Sequence, residues 1–220
     1  MTAHDLLTLL HLLLFCYWLG GDIGVFYASR FVVDGERGRE ARLTAGRIML
    51  GVDLVPRICM SLMLTVGGLL SATLGIAHPT WQLVAIVLLG PLWFTMVLVL
   101  HFAHGASFIP ALTRIDFLFR WLVIAAILAS VAWSTLDGRL ATVPWLAAKL
   151  LGFAFLVFCG LMIRMRLGDF VKAYGKLAAG TQTAEDDARM GASLARVRPW
   201  VLAIWAVLVL EAALGVVKPG

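Results

Sequence analysis

Eight ionisable side chains stand inside the long apolar runs of this chain: His11, Asp22, Asp53, Arg57, His101, His104, Lys149 and Glu211. Apolar surroundings solvate none of them, so each either pairs with another such group or takes part in chemistry. The residue types suit three tasks. Histidine ligates haem iron. Carboxylates and lysine pass protons. Opposite charges join helices, which is the structural alternative for Lys149 with Glu211 and for Asp22 and Asp53 with Arg57. A closed zinc site wants four Cys or His ligands at one level, which the spacing does not supply. No nucleophile stands beside a base as a hydrolase requires. Cys16, Cys59 and Cys159 fall in apolar runs without a CxxC or CxxCH pattern and read as packing residues.

The elements that must position these groups follow from composition. The chain is 61% hydrophobic and 14% charged, against roughly 45–50% and about 25% in soluble domains. Windows of about 20 apolar residues span a bilayer as helices. Six can be read, at about 5–32, 47–77, 80–104, 118–136, 143–163 and 199–217. The expected fold is all-α: one integral membrane domain over 1–220, a polytopic bundle of six transmembrane helices. The head MTAHDLL lacks a positive n-region, so the first span is expected to be retained. The short AHPT connection predicts that spans two and three are antiparallel neighbours. Gly20, Gly21, Gly67 and Gly68 mark places where helices could approach closely. In the long connection 167–198, Thr183 and Asp186 predict a capping box opening a short helix, with Pro199 starting the last span.

Fourteen of the eighteen basic residues fall at the first, third and fifth connections, among them Arg30, Arg42, Arg114, Arg120 and Arg164. The positive-inside rule then places both termini outside and these loops in the cytoplasm of a bacterial inner (plasma) membrane. The net charge of +5 reflects this topology and contact with membrane lipids. No nucleic-acid motif accompanies it.

Topology assigns each buried group a depth. On span one, His11, Trp18 and Asp22 fall within about 40° of one another, a polar-aromatic stripe facing the bundle interior. Lys149 and Glu211 share the outer level of His11. Asp22, Asp53, Arg57, His101 and His104 form an inner set, with Arg30 at its rim. A bis-histidine haem joining His11 to His101 would have to bridge about 20 Å along the normal. His11 is therefore the expected haem ligand, alone or with Lys149 or a neighbour opposite. His101 would serve a separate inner site, such as a quinone or proton path.

LHLLLFCYW, with Trp18 seven residues after His11, resembles the first helix of the HemJ-type bacterial protoporphyrinogen oxidases. VPWLAAKLLGFAFLVF is similar to that family's WLxxKL helix, with Lys149 in the lysine position, and GVVKPG resembles its close. The related copper-resistance D (CopD) membrane family shares the histidine followed by WxGG, here Trp18 to Gly21. The HemJ resemblance covers spans one, two, five and six. It implies haem b bound in the outer half, with His11 and Lys149 at the site and spans three and four inserted. Ala147 stands where that family has histidine, and Phe158-Cys159 where it has a Tyr-His pair. The resemblance thus implies haem binding more than porphyrinogen oxidation.

The expected function is a haem b redox protein passing electrons between haem and quinone or a partner enzyme, as a homo-oligomer or with a redox partner protein. The expected catalytic set is His11, Lys149 and Glu211. The cofactor-binding set is His11, Trp18, Lys149, Arg57, Asp22 and His101, with His11 on the haem iron. The alternatives are a copper or other small-solute transporter, for which Met60 and Met63 lie in span two but no Met-x-x-Met series stands near the outer loops, and a non-catalytic anchor subunit whose polar residues only pair.

Overall fold

The computed structural model describes residues 1–103 and 105–218. His104, assigned above to the inner set, lies outside the described residues, as do positions 219–220. The described chain is all-helical: α1 (Ala3–Val33), α2 (Arg39–Val52), α3 (Leu54–Thr73), α4 (Thr80–Phe102), α5 (Ile109–Leu136), α6 (Pro144–Arg166), α7 (Gly168–Ala179) and α8 (Ala184–Val217). Six stretches are long and apolar enough to cross a membrane: α1, α2 with α3, α4, α5, α6 and α8. Their outward surfaces carry rows of bare apolar side chains, such as Leu9, Leu12 and Leu13 on α1, Leu88 and Leu92 on α4, and Val209 and Leu210 on α8. Water would not tolerate such rows, and lipid does.

Several boundaries differ from the sequence expectation. The second span begins at Arg39, earlier than expected, and breaks at Asp53, whose N–H bonds the Met49 carbonyl at 3.0 Å. The fourth starts at Ile109, with Pro110 in its first turn, where a missing N–H costs nothing. Arg114 and Arg120, expected in a connection, are therefore helical. The connection 167–198 is itself mostly helix: α7, then the first half of α8. The capping box forms as expected, Thr183 and Asp186 each accepting from the other's backbone. Pro199 does not start a new helix; α8 runs straight through it. The half of α8 before the proline is held by ion pairs, so losing one N–H bond at Pro199 does not break the helix. Asp187 receives Arg42 at 2.6 Å, Asp186 receives Lys176 at 2.7 Å, and Asp169 receives Arg196 at 2.7 Å.

Both termini reach one face. His4 Nδ1 lies 2.9 Å from the Thr73 hydroxyl at the end of α3, and Lys218 sits over the Trp145 ring at the start of α6. The opposite face is rich in arginine. There Arg42, 2% exposed, donates from Nε to the Val32 carbonyl at 2.8 Å, and Arg39 donates to the carbonyls of Leu177 and Ala178 that end α7. These arginines staple α2 to α7 and α8 around a small core of Val32, Met49, Phe170 and Met190.

The bundle has two halves. In one, α1 packs on α2 and α3, and α3 on α4; in the other, α6 packs on α5 and α8, and α7 on α8. The antiparallel pairing of spans two and three is thus present. Close approach at glycine appears at Gly21, where a Cβ would overlap the Pro56 ring, and at Gly68 against Ile86. Gly20 differs from expectation: a Cβ there would meet nothing within 4 Å. The halves meet through Trp18 of α1, whose ring stands edge-on to Phe153 of α6 at 6.3 Å, and through Phe26 of α1, edge-on to Trp205 of α8 at 5.2 Å.

Candidate functional site

The stripe on α1 faces the seam between the halves. Trp18 is 3% exposed there. About two turns toward the termini, the His11 ring lies over Gly67 of α3, where a Cβ would stand 3.1 Å from its Cε1. Glycine is what lets the imidazole approach α3 this closely. His11 Nδ1 is buried and has no hydrogen-bond partner among the described residues. Such an orphan in a native interior calls for an explanation, a bound metal or water among them. Lys149 of α6 lies within electrostatic reach of His11 across the seam.

Lys149 is also engaged. Its Nζ donates to the Glu211 main-chain carbonyl at 2.6 Å and stands 3.6 Å from Glu211 Oε2, joining α6 to α8. Two glycines make room for the pair. A Cβ at Gly152 would overlap the Glu211 carboxylate, and one at Gly215 would stand 3.3 Å from Lys149 Nζ.

The inner set is more dispersed than the depth argument implied. Asp22 lies beside Trp18 and within electrostatic reach of Asp53 and Cys59; its Oδ2 is buried without a partner among the described residues. Asp53 and Arg57 form the expected i,i+4 ion pair. The Arg57 side chain is 48% exposed and does not turn in to Asp22. His101 lies in the last turn of α4 with its ring edge-on to Phe102 at 4.8 Å, on the arginine-rich side and away from His11. Arg30 sits over the Phe26 ring. His78 is satisfied by Ser71 at 2.8 Å and Gln82 at 3.3 Å.

The most buried ionic centre escaped the sequence reading. Asp116 of α5, 1% exposed, receives Arg120 Nε at 3.1 Å and also Arg164 of α6. Arg120 crosses the seam: its guanidinium lies over the Trp93 ring of α4 at 5.4 Å and reaches Met60 Sδ of α3 at 3.7 Å. Asp116 Oδ1 and Trp93 Nε1 remain buried without partners. The available signal was the i,i+4 spacing of Asp116 and Arg120, which only matters once both are inside a helix.

A haem ligand set can be tested against these contacts. His11 fits, because its imidazole nitrogen is buried without a partner among the described residues. Lys149 does not fit as a ligand opposite, because its ammonium is held by Glu211. Among the described residues no three His, Cys, Asp or Glu side chains come together as a metal-holding group. Met60 and Met63 are buried in the core. No family model, curated protein or solved structure matches the chain.

Proposed function

We propose that this chain is a redox protein of the bacterial inner membrane that binds a b-type haem through His11, with both termini outside and the arginine-rich face in the cytoplasm. The observation that carries the reading is the buried Nδ1 of His11, without a partner among the described residues, on the seam between the two halves and within electrostatic reach of Lys149. The placement of arginine supports the orientation. Bound there, haem supplies a one-electron couple. His11 holds the group from α1. Trp18 and Phe153 close the seam beneath it and exclude water. Lys149 and Glu211 hold or pass a proton at Nζ and the carboxylate oxygens. Electrons would pass to quinone or a partner enzyme, with the protein as a homo-oligomer or beside a redox partner. The HemJ and CopD resemblance of span one agrees with this reading. Under haem-replete expression the purified protein is expected to show a Soret band that His11→Ala removes. A wild-type spectrum without that band overturns the proposal.

A second reading is favoured by one contact, the mutual satisfaction of Lys149 and Glu211. Under it the chain is a non-catalytic membrane anchor subunit and its charges only join helices. Retained partner assembly and unchanged activity of the complex in a Lys149→Met/Glu211→Leu double variant would support it.

A further inference from the structure

A groove of about 420 Å³ opens between the first turns of α5 and the last turn of α6, lined by Thr113, Arg114, Phe117, Leu118, Arg164 and Met165. It lies at the arginine-rich face, where the apolar spans end. Its charges do not balance. Asp116, just behind it, is one carboxylate shared by two guanidiniums, those of Arg120 and Arg164. Arg114 adds a third positive charge, exposed and with no hydrogen bond or ion pair to a described residue. Phe117 is half-buried, and Leu118 and Met165 are 66% and 51% exposed, so the remaining wall is apolar. From Leu118 the bare strip continues one helical turn deeper to Leu122, 65% exposed.

We propose that this groove binds an anionic phospholipid, its phosphodiester against Arg114 and Arg164 and an acyl chain along Phe117, Leu118 and Met165. Three cations over one carboxylate at a membrane boundary draw an anion. The apolar wall running inward from them gives that anion a tail to lay down, which a free phosphate lacks. A choline or ethanolamine headgroup would bring a further cation against the arginines, so the headgroup is anionic, of the phosphatidylglycerol class. This site is independent of the haem reading: it lies on the opposite face from His11 and uses none of the residues assigned there.

The test uses the full-length chain, delipidated in mild detergent and titrated by native mass spectrometry. The probes are phosphatidylglycerol, phosphatidylcholine with the same acyl chains, and inorganic phosphate. Phosphatidylglycerol is expected to bind the tightest. Arg114→Gln weakens it about fivefold, the factor for roughly 1 kcal/mol per arginine near a lipid surface. Arg114→Lys, which keeps the charge, retains binding. Arg37→Gln, at an exposed arginine paired with Asp34 on the same face, leaves it unchanged. Equal binding of the two lipids, or phosphatidylglycerol binding that Arg114→Gln does not alter, overturns the proposal. Phosphate that displaces the lipid at equal concentration would assign a free-anion site and overturn it as well.

Discussion

Lys149 of α6 gives its proton-rich end to α8 twice over, donating to the Glu211 carbonyl at 2.6 Å while the Glu211 carboxylate stands 3.6 Å away. Both side chains are mostly withdrawn from the surface, at 18% and 13% exposure. Such a pair contributes less as a pair than its halves cost when separated.

Lys149→Ala leaves the Glu211 carboxylate among apolar neighbours. Thermal unfolding in detergent, followed by tryptophan fluorescence, should show a loss of about 2–4 kcal/mol. Lys149→Met combined with Glu211→Leu should recover most of it. A double variant as unstable as the single one would show that the contact has no such coupling.

The glycines separate a packing requirement from a helix preference. Gly152→Ala drives a methyl into the Glu211 carboxylate and should cost about 1–3 kcal/mol. Gly20→Ala meets nothing and should be neutral or stabilise by up to about 1 kcal/mol through helix propensity. Equal melting temperatures for the two variants would contradict this geometry.

Asp116→Ala strips the carboxylate from beneath Arg120 and Arg164, leaving Arg120 buried over Trp93. The expected loss is about 3–5 kcal/mol. Asp116→Ala combined with Arg120→Met should be more stable than Asp116→Ala alone, because the stranded charge is gone. The same fluorescence melts decide it, and Trp93 reports from inside the contact.

The arginine-rich face should be acid-labile in one place. The Lys176 ammonium, followed by the Thr183 hydroxyl and backbone, holds the Asp186 carboxyl down to about 2. A carboxyl lowered in the folded state adds stability that is complete above its ordinary value near 3.8 and is lost as pH falls from about 4 toward 2. Amide exchange in α7 and the first half of α8 should accelerate across that interval in the wild type. Asp186→Asn should flatten the dependence.

Much was legible from residue order, because it follows from arithmetic along one helix. The six apolar runs, the Thr183–Asp186 capping box and the Asp53–Arg57 pair need only spacing. The stripe of His11, Trp18 and Asp22 needs only the rise and turn of a helix, and the meeting of Lys149 with Glu211 agrees with their expected depths. Other contacts between helices were not legible, since depth says nothing of rotation about an axis or of which helix stands alongside. Arg57 shares the depth of its set yet turns outward, and His101 ends on the far side. Arg114 and Arg120 were expected at a connection, and Asp116 went unnoticed, because the stretch IPALTRIDF before the expected span is too polar to read as part of it. Asp116 and Arg120 lie inside α5 because Arg164, Met60 and Trp93 on three other helices receive them. The notches at Gly67, Gly152 and Gly215 have the same origin: each matters for a side chain brought to it by a different helix. Hydrophobicity settled how many helices are long and apolar enough to cross a bilayer, and packing between the two halves settled which of the charges meet.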